Sequence, residues 1–314
     1  MITDAAAVGQ TLAVMPTQGP TLTPGIGVVE AHGIGQSQTQ IANLTFGIGA
    51  VLSLAFCLVM AARQKRMLPL YVFGGACLAV PIEIFVDVLG RCSWATLDQP
   101  IIGTVMGREV PLLLLTTYMF YFPVAVVSLH SALEKGMSLR TWWICAGTAI
   151  LSAWLFELYP VHAKWWYYYG KGQPLMVLGL PMWWGPAAVL AVIGSASLTF
   201  TIRRHVLGDR HSWFMLFALP LGIISVHLSA SFPVFVALSS TENAGITNAA
   251  ALFTIILALC GLHVLGLFMT GGVGVRDAAI RAKPAFPPSP DAASLDEIVL
   301  CGARAARGVV RKWV

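Results

Sequence analysis

The chain has 314 residues, of which 57% are hydrophobic and only 11% are charged. This composition excludes an ordinary soluble domain, in which charged residues make up about a quarter of the chain. The formal net charge of +5 does not indicate a nucleic-acid partner, because the Lys and Arg residues are distributed according to the loops that they follow.

Seven apolar stretches dominate the sequence and predict its fold class. Each is near or above the roughly 20 residues that a helix needs to cross a hydrocarbon core of about 30 Å. They predict an all-α, polytopic membrane protein, a bundle of seven transmembrane helices. The stretches are residues 41–62, 68–90, 111–133, 142–159, 175–202, 213–238 and 247–269.

Positive charge alternates between the loops and predicts the orientation. Fifteen of the 19 Lys and Arg residues follow the odd-numbered stretches, and residues 1–40 contain none. By the positive-inside rule, the N-terminus is outside and the C-terminus is cytoplasmic, in a multi-pass plasma-membrane protein. We therefore divide the chain into an extracytoplasmic tail (1–40), a transmembrane domain (41–269) and a cytoplasmic tail (270–314).

The cytoplasmic tail combines a Pro-rich linker with a basic C-terminal segment. Ser294 followed by Glu297 is typical of a capping box that opens a helix. Apolar residues of this segment lean to one side and Arg and Lys residues lie elsewhere, so we predict an amphipathic helix on the anionic lipids of the inner leaflet. The alternative is a solvated tail without regular structure.

Two carboxylates lie inside the second stretch. Glu83, Asp87 and Arg91 recur every four residues and therefore share one helical face in the outer half of the membrane. An ionised group at this depth costs a few kcal/mol, which favours a functional role for Glu83 and Asp87 in acid–base chemistry. The alternative for Asp87 is a structural ion pair with Arg91.

A third carboxylate, Glu157, lies near the outer end of the fourth stretch, at a depth similar to that of Asp87. We predict that Glu83 and Glu157 face one aromatic-lined pocket and that His227, in the sixth stretch, also faces it. An interfacial aromatic belt is the alternative for residues 165–169. The predicted substrate-binding residues are Trp154, Tyr159, Gln173, Trp183, Trp184 and His227.

Several familiar classes of site have no counterpart in the sequence. Every Lys lies in a loop or tail, which excludes a retinal pigment with its membrane-embedded Schiff base. No pair of His or Cys residues has the spacing of metal ligands. No phosphate loop or dinucleotide fingerprint is present. We therefore predict neither a metal nor a cofactor.

The order of Glu157, the aromatic run 165–169, Gly179-Leu-Pro181 and Trp183-Trp184 resembles small multi-span enzymes of isoprenoid metabolism. The similar groups are membrane terpene cyclases of the meroterpenoid type and carotenoid-modifying membrane hydratases. The resemblance implies a compact helical bundle in which Glu83 or Glu157 is the general acid. It also implies that Asp87 is the partner of this acid and that the tryptophans shield a cation.

The function that we expect is acid-initiated cyclisation, hydration or isomerisation of a lipophilic, isoprenoid-like substrate without a cofactor. Two alternatives belong to other classes. In a proton-coupled transporter, Glu83, Asp87 and His227 would relay protons. In a noncatalytic membrane subunit or sensor, no internal pocket is required. A pocket open on one side favours the enzyme, and a path open to both faces favours the transporter.

Overall fold

The computed structural model describes residues 21–23, 26–29 and 31–271. The predicted C-terminal amphipathic helix lies outside the described residues. The helices are α1 (Gln36–Gln64), α2 (Leu68–Leu78), α3 (Val80–Gly90), α4 (Leu112–Glu134), α5 (Leu139–His162), α6 (Trp184–Ile202), α7 (Met215–Ser240) and α8 (Ala244–Met269). A π-helical turn (Arg203–Leu207) and a 3-10 helix (Asp209–Phe214) join α6 to α7.

Within the part of the chain that the structure describes, short strands occur before α1 and in the connections between helices. They are β1 (Thr21–Thr23), β2 (Ile26–Val29), β3 (Cys92–Trp94), β4 (Ile101–Val105), β5 (Arg108–Pro111), β6 (Trp166–Tyr168), β7 (Met176–Val177) and β8 (Leu180–Pro181). They form four two-stranded antiparallel ladders.

The helices confirm a helical membrane protein with several spans. Among the described residues, six helices are long and apolar enough to cross a bilayer, and the pair α2–α3 is a seventh candidate if it is one span. This pair is bent by 44°, where the sequence predicted a single helix over 68–90. The bend lies at Ala79, just before Pro81, whose ring nitrogen cannot donate the hydrogen bond that would continue the helix.

The fifth apolar stretch also differs from its prediction. Residues 175–181 are not helical, because β7 and β8 form a hairpin there, and α6 begins only at Trp184. Gly179 in the turn has φ +82°, a left-handed conformation that favours glycine. Pro186 therefore lies in the first turn of α6, where a missing N–H is tolerated, and does not distort the helix interior.

Helix α6 is the centre of the bundle. Of its apolar window 78% is buried, against 22–50% for the other five long helices. It packs against α4, α5, α7 and α8, whereas α5 packs mainly against α6 and α8 and makes few contacts with α4. A gap between α4 and α5 results from this arrangement.

The two ends of the bundle differ in structure. At one end, β3 pairs with β6, and we call it the roofed end; α3, α5 and α7 end there. At the opposite end α1, α4, α6 and α8 end, and we call it the basic end. Its cations in the described part of the chain are Arg63, Lys65, Arg66, Lys135, Arg140, Arg203, Arg204 and Arg210.

Candidate active site

A cavity of about 590 Å³ lies between α4 and α5, on the surface of α6. Residues of α3 close it towards the roofed end, and one side chain of α7 also reaches it. None of the Lys and Arg residues in the described part of the chain lines it. The carboxyl, phenol and imidazole groups that line the cavity belong to Glu83, Asp87, Tyr118, Tyr121, Glu157, Tyr168 and His227.

The two carboxyl groups of α3 both face the cavity, because residues four apart share a helical face. Tyr118 of α4 donates a hydrogen bond of 2.5 Å from its hydroxyl to Oε2 of Glu83. Asp87 is 1% exposed, and its Oδ2 accepts a 2.8 Å hydrogen bond from Trp94 Nε1. Its Oδ1 has no hydrogen-bond partner among the described residues. The donors to both carboxyls are therefore neutral groups.

Arg91 does not form the predicted ion pair with Asp87 among the residues that the structure describes. It follows the last residue of α3 in a left-handed conformation (φ 55°), which turns the chain away from the helical face of Asp87. Its guanidinium instead donates to the carbonyl oxygens of Lys171 and Leu238. Arg91 thus ties the end of α3 to the loop after β6 and to α7.

Glu157 reaches the same cavity from α5. The hydroxyl of Tyr168 donates a 2.9 Å hydrogen bond to its Oε2. Glu157 is close enough to Glu83 for the two carboxylates to repel each other when both are ionised, and the same holds for Glu83 and Asp87. The predicted convergence of Glu83 and Glu157 on one cavity is therefore present in the structure.

The ladder of β3 and β6 forms the roof of the cavity. In an antiparallel pair, alternate residues point to the same face. Cys92 is opposite Tyr168 and Trp94 is opposite Trp166, and all four line the cavity. The intervening Tyr167 points away and packs edge-on against the ring of His32 at 4.6 Å.

The aromatic run 165–169 therefore does more than form an interfacial belt. Cys92, Trp94 and Trp166 are 2%, 7% and 4% exposed, so this end of the cavity is closed. Two side chains at this closed end, Cys92 and Tyr168, have pKa values that lie above their usual range.

Burial raises the pKa of the Cys92 thiol well above its usual value, and the nearby carboxylates of Asp87, Glu157 and Glu83 raise it further. Burial likewise raises the pKa of the Tyr168 hydroxyl, with Glu157 as the next cause. Both groups are therefore uncharged at neutral pH. Tyr168 donates a hydrogen bond to Glu157 in this form, and neither group is a thiolate or phenolate nucleophile.

Indole and imidazole rings form the wall on the α6 side. The rings of Trp184 and His227 are 5.2 Å apart, and those of Trp184 and Tyr168 are 5.9 Å apart. His227 is 4% exposed, and its Nε2 has no hydrogen-bond partner within the described residues. His227 and Trp184 thus lie where the sequence predicted them.

Four predicted substrate-binding residues do not line the cavity. Trp154 packs against Gly185, where an added Cβ would lie 2.4 Å from the indole nitrogen. Tyr159 is 51% exposed and bonds to Gln38. Gln173 donates to the carbonyl oxygens of Gly90 and Arg91. Trp183 is fully buried between Trp184 and Phe235. These four side chains hold the surrounding structure together.

Tyr118, Tyr121 and Trp94 are cavity residues that the sequence analysis missed. Tyr118, Tyr121 and Phe122 have the spacing of one face of α4, a signal that was present in the sequence. Trp94 had no local signal, because its position depends on the pairing of β3 with β6.

The donor groups and the comparisons with known proteins complete the description. Among the described residues, no three His, Cys, Asp or Glu side chains are grouped so that they could hold a metal ion. Comparison with models of protein families, with curated proteins and with solved structures found no match. The fold and cavity define a multi-pass helical membrane protein with an internal carboxyl cluster.

Proposed function

We propose that this protein is a membrane enzyme that uses the carboxyl groups of its cavity for acid-initiated cyclisation, hydration or isomerisation of a lipophilic, isoprenoid-like substrate. One observation carries the proposal: Glu83, Asp87 and Glu157 come from two helices to one apolar, aromatic-lined cavity. Tyr118, Trp94 and Tyr168 orient these groups through neutral hydrogen bonds.

The proposed reaction begins with proton transfer from Glu83 or Glu157, in its acid form, to an alkene carbon or an epoxide oxygen. The O–H bond of the acid breaks. A C–H bond forms as the alkene π bond breaks, or an O–H bond forms as an epoxide C–O bond breaks, and the positive charge develops on the adjacent carbon. The rings of Trp94, Trp166 and Trp184 line the cavity, and an aromatic face that meets a desolvated cation stabilises it by about 2 kcal/mol. This stabilisation increases as the charge develops, so it acts on the transition state.

The second half of the reaction removes the charge and returns the proton. In a cyclisation, the electron pair of a second alkene forms a C–C bond to the cation, and loss of a proton from the new cation restores an alkene. In a hydration, water adds and its oxygen loses a proton. A neighbouring carboxylate of the cluster accepts this proton, so that the net proton count of the cavity is unchanged and no oxidant or reductant is needed.

The closed roof favours an enzyme over a proton-coupled transporter. A transport path must reach both faces of the membrane in turn, whereas Trp94 and Trp166 bury the carboxyl end of this cavity. The exposed residues of the cavity are Ser128, Cys145, Ser152 and Phe156, which belong to α4 and α5 and not to the roof. The cavity is therefore open on one side.

Substitution of the carboxyl groups tests this proposal. Glu83→Gln and Glu157→Gln should fold, because glutamine retains the shape and the hydrogen-bond acceptor. At least one of them should lose product formation by roughly 10²–10⁴-fold, the contribution of a general acid. The product is identified by lipid-phase metabolite profiling of cells with and without the gene. Thermal unfolding in detergent reports folding.

The exposed Glu242 gives a matched control, since Glu242→Gln lies at the same end of the bundle outside the cavity. It should leave both product formation and unfolding unchanged. If both cavity variants fold and remain fully active, acid catalysis is ruled out.

We also propose that the roofed end faces outwards from the plasma membrane, with seven spans and the bent pair α2–α3 as the second. The excess of cations at the basic end supports this orientation through the positive-inside rule. A cysteine at Glu242 should react with an impermeant thiol reagent in intact cells, and one at Lys135 only after lysis. The reverse pattern would invert the orientation.

A further inference from the structure

The cavity extends far beyond the carboxyl cluster, along the gap between α4 and α5. On α4 its lining runs from Thr117 to Ala132, and beyond this point it includes Met137 in the loop that follows. The fifteen helical steps from Thr117 to Ala132 correspond to about 22 Å at a rise of about 1.5 Å per residue. Carbon–carbon bonds of about 1.5 Å with angles of about 111° advance an extended chain by about 1.25 Å per bond, so this length fits roughly 18 carbon–carbon bonds.

The chemistry of the lining changes along this length. The carboxyl groups and phenols lie at the roofed end, whereas the remainder is lined by small and apolar side chains with two serines. The residues that line this part on the facing sides of α4 and α5 are Ala125, Ser128, Leu129, Ala132, Cys145, Ala149, Ser152 and Ala153. We call this part of the cavity the groove. A ligand that fills both parts has one polar or reactive end and one long apolar chain.

The groove opens on the side of the bundle. Ser128, Cys145 and Ser152 are exposed, and all three lie within apolar spanning candidates, whose exposed surface would face lipid in a membrane. Closer to the carboxyls, the rings of Phe46, Phe120 and Phe156 are 5.5–6.4 Å apart and bridge α1, α4 and α5. The gap is thus closed at the level of the carboxyls and open further down, as sideways entry from the bilayer requires.

The charge of the cavity restricts the head of the ligand. Three carboxyl groups lie at its closed end, and no Lys or Arg of the described residues lines it. Phosphate and carboxylate heads would meet like charge. The buried Arg108 is near enough to attract Asp87, but its guanidinium donates to the carbonyl oxygen of Cys92 and the hydroxyl of Tyr169 and does not line the cavity, so it is not placed to pair with such a head. The head must therefore be uncharged, such as an alkene, alcohol, ketone or epoxide.

We infer that the substrate is an uncharged single-chain lipid that enters from the bilayer between α4 and α5. Its reactive end lies against Glu83, Asp87 and Glu157, and its hydrocarbon chain lies in the groove towards Met137. This inference rests on the proposed function for the reaction itself. The binding that it describes does not require turnover and can be measured separately.

Photolabelling of the full-length protein in liposomes tests the inference. Two long-chain alcohols are used, one with a diazirine beside the hydroxyl and the other with a diazirine at the far end of the chain. The probe with the diazirine beside the hydroxyl should label the roof at Cys92–Trp94 or Trp166–Tyr168. The probe with the diazirine at the far end should label α5 near Cys145, or Met137 in the loop before α5. Labelled peptides are located by mass spectrometry. Reversed positions, or identical positions for both probes, would overturn the inference.

A phosphate monoester of the same chain tests the uncharged head and should label the cavity about tenfold less than the alcohol. Equal labelling would refute that part of the inference. Ala149→Trp fills the groove and should lower labelling by a similar factor. Leu151→Trp is its control, because Leu151 is 55% exposed and does not line the cavity.

Thermal unfolding of both variants separates a blocked groove from a misfolded protein, and Ser152→Phe replaces Ala149→Trp if the latter does not fold. Persistent labelling of the cavity in folded Ala149→Trp and Ser152→Phe would contradict the groove. Labelling at the expected positions together with fully active Glu83→Gln and Glu157→Gln would retain the groove and remove the proposed reaction. Inactive Glu83→Gln and Glu157→Gln variants without labelling of the cavity would retain the proposed reaction and remove the groove.

Discussion

The two ends of the bundle differ in the groups that donate hydrogen bonds to their carboxyl side chains. At the basic end, Glu134 of α4 accepts hydrogen bonds from Arg66 and from Arg203, whose side chain is only 6% exposed. At the roofed end, Asp87 is as deeply buried but receives its hydrogen bond from an indole, and Glu83 and Glu157 receive theirs from phenols. At the basic end, opposite charges therefore join α4 to the loop after α1 and to the turn after α6.

This difference separates a structural arrangement from a reactive one. An ion pair is most stable when both partners keep their charge, so it holds helices together and resists a change of protonation. A carboxyl that is surrounded by neutral donors can lose or gain a proton without leaving an opposite charge unpaired. The comparison therefore predicts that carboxyl substitutions at the two ends have opposite effects on activity and stability.

After the Glu83→Gln and Glu157→Gln variants described above, the largest effect is expected for Asp87→Asn. The change removes a carboxyl from the proposed reacting cluster but keeps an oxygen to accept from Trp94. Product formation should fall about 10²-fold, the lower range for a group that takes part in proton transfer. Thermal unfolding should not shift downwards, because a buried carboxyl is replaced by a neutral amide. A stable variant with full activity would place Asp87 outside the reaction.

Glu134→Gln should have the opposite effect. It leaves Arg66 and the buried Arg203 without their shared carboxylate, and it should lower the free energy of unfolding by about 1–2 kcal/mol, since Glu134 is itself 35% exposed. Product formation per folded molecule should remain that of the unaltered protein. Denaturation in detergent and a specific-activity assay measure the two quantities. If Glu134→Gln lost activity but kept normal stability, the contrast between a structural carboxylate at the basic end and reactive carboxyls at the roofed end would be wrong.

Tyr118→Phe and Tyr168→Phe should have smaller effects. Each removes one hydrogen bond to a carboxyl, worth about 1 kcal/mol, which corresponds to a loss of roughly fivefold in product formation. Tyr159→Phe is the matched control, because Tyr159 is half exposed and lies outside the cavity. It should be indistinguishable from the unaltered protein. An equal loss in all three variants would mean that the phenols do not act through Glu83 and Glu157.

The smallest effect concerns His32, in the segment before α1. Burial lowers its pKa from 6.5, the hydrogen bond with the Lys164 carbonyl partly offsets this, and Lys164 lowers it further. The folded state therefore disfavours the protonated ring. The resulting stability is present above pH 6.5 and is lost as the pH falls through the lowered pKa. His32→Gln should flatten this pH dependence of thermal unfolding, and an unchanged dependence would exclude His32 as its source.

The helices were predictable because hydropathy depends on composition over about 20 residues, without knowledge of tertiary contacts. The convergence of Glu83 and Glu157 was predictable for a related reason. Two parallel spans that both end at the roofed end carry these acids near their last turns, which brings them to similar depth. Spacing of four residues on α3 then gave the shared face of Glu83 and Asp87.

The errors arose where backbone direction depends on single residues or on distant pairing. Arg91 was assigned to the helical face of Asp87, but the helix ends one residue earlier. Residues 175–181 are as apolar as a span, yet Gly179 and Pro181 form a hairpin instead. The inward positions of Trp166 and Tyr168 could not be read from an all-aromatic run, because alternation is invisible when every residue is aromatic.

The ladder of β3 and β6 has a consequence for the biogenesis of the protein. Helices of polytopic proteins enter the membrane in the order of synthesis, so α3 brings Glu83 and Asp87 into place before α4, α5 and β6 exist. Until β6 emerges after α5, these acids have neither Tyr168 nor the Trp166 side of the roof near them. The ladder thus joins an early loop to a late one, and the roof over the acids is complete only after α5 and β6 have been made.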